Sequence, residues 1–387
     1  MHYRGAITDM WVAPFSRVQT ISLLMIGLVS GCVPALQPLL LGGLLAEGRI
    51  SGPQIGHAAT VEGLGMALAT GIASLFFMTS ALRRTALIAI LGCTCANIAT
   101  LLSTPLGIIA ARGLSGACNG ILLWLIIGMI NRTQTPARLF AIYITAQATT
   151  AFLLSATFAT LALPASGVIG CYGMLALLNL LLLPLLRRIP KAYAPLTIGR
   201  DSATMRLPPF RGRVGLLAIT LNQAGVMVVW IYLLPIGLQS GQPPAAINAI
   251  VSAAIFVRIG AGILAMVFAP QVNGPLAILC SALASIAALT LLQLSSSNTL
   301  WLLATIIFAF SWMFAQPFHI ALLNRLDPSN RSAMLVSTAE LLGIAAGPFI
   351  GSIVIRSNDF QPALQASIAC YLVVVIAATA ALRSAHP

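Results

Sequence analysis

Twelve runs of about 20 or more mostly apolar residues follow one another along this chain, and no soluble fold accommodates such a series. They fall near 18–46, 54–79, 85–103, 105–131, 137–163, 166–187, 213–238, 244–269, 275–295, 299–324, 331–356 and 361–383. A helix of about 20 residues rises roughly 30 Å, the thickness of a bilayer's hydrocarbon core. Lipid offers the backbone no hydrogen-bonding partner, so each run must satisfy its own N–H and C=O groups, and it does so as a helix. Composition agrees: 59% of the 387 residues are hydrophobic, 7% are charged, and the mean hydropathy is +0.99. The expected fold class is an all-α integral membrane protein with twelve transmembrane helices.

The 20 Lys and Arg outnumber the 7 Asp and Glu. With no soluble domain to carry a basic face, the expected partners include no nucleic acid, and the excess reads as topology. If the N-terminus is cytoplasmic, sixteen basic residues lie in or beside inner segments: Arg4, Arg17, Arg83, Arg84, Arg132, Arg138, Arg187, Arg188, Lys191, Arg200, Arg206, Arg211, Arg213, Arg325, Arg331 and Arg383. Only Arg49 and Arg356 lie outside, and Arg112 and Arg258 are left within spans. Both termini are therefore expected in the cytoplasm of a multi-pass cell-membrane protein, with a bacterial inner membrane as its setting. The polar stretch "MHYRGAITDMWVAPFSR" lacks the apolar core of a signal peptide, so no cleavage is expected. All seven cysteines sit inside apolar runs, which suggests packing rather than disulfides or zinc.

The longest connection, 188–212, is basic and contains proline. It divides the chain into a bundle over 1–187 and a second over 213–387. Three local patterns add to this arrangement. Span 4 carries "ARGLSGACNG", with Arg112, Gly116 and Gly120; the 2/3 connection "TSALRRTA" carries Arg83 and Arg84; and "RLDPSNRSAMLVSTAELLGIAAGPFIG" joins the 10/11 loop to a span rich in small residues. In these the chain resembles the major facilitator superfamily of secondary transporters. The resemblance implies two six-helix bundles in 6+6 pseudo-symmetry, spans 1, 4, 7 and 10 lining a cavity, and a gating loop at Arg83 and Arg84. Departures are equally plain: Thr79 and Leu82 stand near the places of the signature's Asp and Gly, and span 5 lacks the Gly-Pro motif of many of the family's antiporters. Gly347 and Pro348 carry a similar pattern on span 11 instead.

Ionisable residues inside spans are costly and usually have a partner or a wet cavity. "TVEGLGMALATG" places Glu62 within span 2, and its near echo "TAELLGIAAGP" places Glu340 within span 11. Glu62 lies level with Arg112 and Glu340 level with Arg258, so depth permits one ion pair in each half. Each pair is either a fixed brace or a proton-coupling switch released by substrate. The brace suits Glu62 and Arg112; a coupling role suits Arg258 and Glu340, at the level where substrates bind in the resembled fold.

Substrate-binding candidates are Gln37 on span 1; Asn119 and Trp124 on span 4; Tyr143 and Gln147 on span 5; Asn222, Gln223, Trp230 and Tyr232 on span 7; Arg258 on span 8; and Trp312, Gln316 and His319 on span 10. Asn222 and Gln223 are about 100° apart on one helix, so at most one points squarely inward. Trp301, near a span end, reads as an interfacial anchor. Glycines near four-residue spacing, at Gly27/Gly31, Gly116/Gly120, Gly260/Gly262 and Gly343/Gly347/Gly351, suit close helix approach.

No nucleotide-binding loop, nucleophile elbow or metal motif is present, so the chain does not read as an enzyme and no cofactor or metal is expected. The expected function is secondary active transport of a small organic solute by alternating access, coupled to protons, by a monomer in the lipid bilayer. Arg258 would suit an anionic solute. A drug or metabolite efflux antiporter, or a non-transporting sensor or assembly protein on the same fold, stay open as alternatives.

Overall fold

The computed structural model describes residues 15–76, 81–133, 136–193, 208–268, 271–328, 331–356 and 359–383. Arg4, Thr79, Arg200, Arg206 and the side chain of Arg138 lie outside the described residues.

Among the described residues, each expected span is built of helix. Span 1 is Arg17–Gly31 followed by Val33–Ala46, span 2 is Gly52–Phe76, span 3 is Leu82–Leu102 and span 4 is Pro105–Ile130. Span 5, Pro136–Thr157, runs through a π-helical turn, Phe158–Ala162, into span 6, Leu163–Leu181. Span 7 is Phe210–Trp230 followed by Leu233–Gln239; spans 8 and 9 are Pro244–Phe268 and Gly274–Leu294. Span 10 is Asn298–Ala315, a 3₁₀ turn Gln316–Phe318, and His319–Leu326; spans 11 and 12 are Val336–Val354 and Gln361–Arg383. Among the described residues, ten helical stretches are long and apolar enough to cross a membrane, and one of them, Ile142–Arg187, holds both spans 5 and 6. Span 2, which carries His57 and Glu62, makes up the twelve.

The helix breaks follow from proline chemistry. Proline brings no N–H and crowds the preceding turn, so a helix can interrupt just before it, although Val33–Ala46 and Val336–Val354 run on through Pro38 and Pro348. Span 1 breaks at Cys32, ahead of Pro34; span 7 breaks at Ile231 and Tyr232, ahead of Pro235; span 10 tightens at Gln316–Phe318, around Pro317. The connection between spans 3 and 4 is only Ser103 and Thr104, a tight hairpin. The turn between spans 5 and 6 is made at Gly167, whose φ of 62° favours glycine. The Glu47 carboxylate fills the space where a Gly167 side chain would stand, and its Oε1 accepts from Val168 N at 2.7 Å.

The packing is inside-out relative to a soluble protein. Leu68, Ile88, Leu181 and Ile376 are exposed, while Asn97, Arg112, Asn119 and His319 are buried. Apolar side chains face outward because their solvent is lipid, and polar groups turn inward to find partners.

Two compact units form. The first comprises 1–34, 61–151 and 169–203, and its apolar core gathers Leu23, Ile26, Ile90, Leu122, Ile126 and Tyr143. The second comprises 35–60, 152–168 and 204–387, so it joins the ends of spans 1, 2 and 5 that face the 1/2 and 5/6 connections to spans 7–12.

Candidate functional site

In the first unit, span 4 passes so close to span 2 that a side chain at Gly116 would meet the carbonyl of Glu62, and one at Gly120 that of Met66. This approach brings Arg112 within reach of the Glu62 carboxylate, Nη1 to Oε1 3.5 Å. Span 3 supplies the remaining acceptors. Arg112 donates to Thr100 Oγ1 at 2.7 Å, to Asn97 Oδ1 at 3.0 Å and to the Ala96 carbonyl at 3.2 Å, and its guanidinium lies 4.8 Å from the Tyr172 ring centre. A buried cation so fully met is a brace between spans 2, 3, 4 and 6.

Other expected site residues of this unit are structural in their surroundings. Tyr143 is buried and donates to the Gly27 carbonyl at 3.3 Å. Asn119 is buried, its Oδ1 accepting from Cys93 at 3.3 Å and its Nδ2 donating to Ser115 at 3.4 Å. Trp124 packs against the apolar core. The Gln147 amide occupies the space that a side chain at Gly31 would need. Arg83 donates to the Ile189 carbonyl at 2.9 Å, tying the 2/3 loop to the start of the central connection, whereas Arg84 is exposed. Tyr193, on that connection, donates to the Leu125 carbonyl at 2.7 Å with the Arg132 guanidinium 4.9 Å above its ring. Burial pushes the Tyr193 phenol above its usual range, and Arg132 pulls it part of the way back.

In the second unit, spans 7 and 11 are pressed together by glycine. A side chain at Gly343 would meet the Thr220 carbonyl and Gln223 Cβ, and one at Gly347 the Ala224 carbonyl. Gln223 is consequently buried against span 11. Its neighbour Asn222 turns to span 10, where Nδ2 lies 3.4 Å from His319 Nε2. The other ring nitrogen, Nδ1, lies 2.8 Å from Glu340 Oε1 on span 11. His319 is 1% exposed and the Glu340 side chain 29%. A buried imidazole thus stands between an amide and a carboxylate that is partly open.

The ion pair that depth allowed between Arg258 and Glu340 is not made. Glu340 is held by His319, and Arg258 meets no carboxylate among the described residues. Its guanidinium instead lies 3.8 Å from the Trp312 ring centre and 5.8 Å from that of Trp230, the two indoles being 5.7 Å apart at 60°. Both tryptophans are buried, as is Gln37 on span 1; Gln316 is partly exposed. Depth along a helix fixes one coordinate only, and rotation about the axis turned Arg258 toward the indoles.

Two further expectations are corrected. Trp301 is fully buried against Gly237 rather than anchored at an interface. A methyl group added at Gly260 would meet nothing within 4 Å, and one at Gly262 only Met313 at 3.5 Å, so span 8 makes no close backbone approach there. Asp327, which was not among the expected site residues, is buried in the 10/11 loop and accepts from Ser332 N at 2.9 Å and Oγ at 2.6 Å. An acid followed by proline and then serine in "LDPSNRS" is the signal that could have revealed it.

At the ends facing the 1/2, 5/6 and 7/8 connections the second unit is tightly closed. A side chain at Gly56 on span 2 would meet the Pro348 carbonyl and the Tyr232 hydroxyl. Ser155 on span 5 and Ser252 on span 8 share a hydrogen bond of 2.8 Å, and Phe152 and Phe256 pack with ring centres 5.1 Å apart. Gln239 clasps the 11/12 connection, donating to Asp359 at 2.9 Å and accepting from Phe360 N at 2.8 Å.

No family model and no curated protein matches the sequence. Solved structures do match. The nucleoside transporter NupG superposes with a TM-score of 0.71 at 13% identity, covering 96% of this chain and 100% of that one. A D-xylose–proton symporter gives 0.69 at 16% identity, covering 95% and 97%. The peptide transporter POT, in complex with sulfate, gives 0.71 at 12% identity, covering 99% and 98%. At such identities the likeness is one of fold, and it extends over nearly the whole chain in each case. This membrane protein therefore has the twelve-helix fold of the major facilitator superfamily, the fold of the transporters it resembles.

Proposed function

We propose that this protein is a secondary active transporter that moves a small organic solute by alternating access and couples the movement to protons. The observation that carries the reading is the buried relay Asn222–His319–Glu340 on spans 7, 10 and 11. Imidazole is the side chain best suited to exchange a proton near neutral pH. Held at 2.8 Å from a partly exposed carboxylate, it forms a shared proton site with one dry end and one accessible end. No other charged group of the described residues pairs with either member. A shift of the carboxylate between its histidine partner and the solute path would load and unload a proton as the spans move.

The fold supports the same reading, since one of the structures it matches is a D-xylose–proton symporter. Close glycine contacts between spans 2 and 4, and between spans 7 and 11, offer smooth surfaces on which backbones can slide. The closed ends of spans 2, 5, 8 and 11 supply a gate on the expected outer face. Glu62 and Arg112 stay outside the cycle as a brace.

The test is uptake into proteoliposomes under an imposed pH gradient, with a radiolabelled panel of sugars, nucleosides, dipeptides and organic acids. Gradient-dependent accumulation of at least one member, collapsed by a protonophore, is expected. A sensor or assembly protein on this fold would move none of them.

A further inference from the structure

Arg258 lies near the middle of span 8 and meets no acceptor among the described residues. A guanidinium carries five N–H donors and keeps its charge at any physiological pH. Within a membrane span such a group is expected to be paired or solvated. Here its Nε is sealed from solvent with no hydrogen-bond partner, and no hydrogen bond or ion pair forms at the rest of its side chain among the described residues. The carboxylate of Glu340, which stands level with Arg258 in the sequence, is engaged by His319. What meets Arg258 is aromatic surface: Trp312 lies at stacking distance, 3.8 Å, and Trp230 stands beside it at 5.8 Å. The indoles stabilise the charge through their faces but accept no hydrogen bond at its edge. Trp312 adds a further donor without an acceptor among the described residues, because its Nε1 is buried and unpartnered while the residue is only 5% exposed.

We infer that this corner of spans 7, 8 and 10 is a binding site for an organic monocarboxylate. The planar fork of a guanidinium fits a carboxylate through two parallel N–H···O bonds, and its stacked face leaves that edge as the part still to be matched. The indole N–H of Trp312 is a further donor at this corner without an acceptor among the described residues. One fixed positive charge calls for one negative charge, and the indole faces suit an apolar or aromatic body attached to it. A cationic ligand would be repelled by Arg258, which argues against the efflux of cationic drugs. That the bound anion is the cargo rests on the transport reading; the binding itself rests on the geometry.

The test uses the purified full chain, followed by thermal shift and tryptophan fluorescence. Acetate, lactate, benzoate and 1-naphthoate are each titrated against the corresponding neutral amide, with benzylamine as the cationic probe. At least one carboxylate should bind and its amide should not. Arg258→Gln should weaken that binding about tenfold or more, as expected for a lost charged hydrogen bond. Arg258→Lys, which keeps the charge but not the fork, should weaken it less, and Trp312→Phe should do so by removing one donor. Equal binding of amide and carboxylate, binding of benzylamine in preference to both, no binding by any of the four acids, or unchanged affinity in Arg258→Gln would overturn the site. If Arg258→Gln does not fold, unchanged affinity in Arg258→Lys overturns it instead. Carboxylate binding without any solute movement in vesicles would defeat the transport reading and leave the site standing; transport indifferent to Arg258 would do the reverse.

Discussion

His319 Nδ1 lies 2.8 Å from Glu340 Oε1, while the opposite nitrogen of the same buried ring faces the Asn222 amide. The three side chains come from spans 10, 11 and 7, so any motion that separates those spans breaks the contacts between them. Replacing His319 by Gln preserves a polar group of similar reach but removes the exchangeable proton. Proton-driven uptake should fall by about 10²-fold, the lower range for a positioned acid–base group. The pH dependence of the residual rate, measured from about pH 5.5 to 8 to bracket the usual histidine range, should flatten. A steep profile retained in the variant would place the coupling elsewhere.

Arg112 and Glu62 should behave as a brace. Arg112→Ala leaves Glu62 buried without this ion-pair partner and strips Asn97 and Thr100 of their donor, and breaking a buried pair in this way typically costs about 3–5 kcal/mol. Glu62→Gln is milder, because Arg112 keeps its acceptors on span 3. Thermal unfolding of the purified variants, with transport measured for those that fold, separates the two. Wild-type stability in Arg112→Ala would contradict the brace.

The glycines divide by what stands opposite them. A methyl group at Gly116 meets the Glu62 carbonyl, which is backbone and cannot rotate away, so Gly116→Ala should cost about 1–3 kcal/mol. Gly260 faces open space, and Gly260→Ala should change stability by no more than about 0.5 kcal/mol. Paired thermal-shift measurements decide this, and equal effects would show that the close approach of spans 2 and 4 is mistaken.

Ser155 and Ser252 stand with their hydroxyls 2.8 Å apart, so the side chains of cysteines at these two positions would point at one another. Oxidation of a Ser155→Cys/Ser252→Cys variant, made in a background lacking the seven native cysteines, should link span 5 to span 8 and stop transport. Reductant should restore it. A fully linked protein that still transports would show that these ends need not part.

Much of the fold was legible because lipid imposes a simple rule: an apolar run long enough to cross must be a helix. The breaks of spans 1, 7 and 10 fall beside Pro34, Pro235 and Pro317, whereas Pro38 sits inside a continuous helix, so proline marks a place where a span can break without deciding that it does. The Glu62–Arg112 contact could be read from depth because both residues also happen to face each other. Depth failed for Arg258 and Glu340, which are level in sequence yet turned to different neighbours. Rotation about the helix axis is set by packing across several spans, and the sequence of one span does not contain it. For the same reason His319 read as a substrate-binding candidate beside Trp312 and Gln316, and its link to Asn222 and Glu340, 97 and 21 positions away, was not legible.

The central claim is that Glu340 carries the coupled proton, and comparing exchange with accumulation tests it most directly. In proteoliposomes, Glu340→Gln should still exchange internal for external solute when no gradient is imposed, since exchange needs binding and reorientation but no net proton movement. The same vesicles should fail to concentrate solute under a pH gradient that drives the wild type. Accumulation at the wild-type level in Glu340→Gln would contradict that claim.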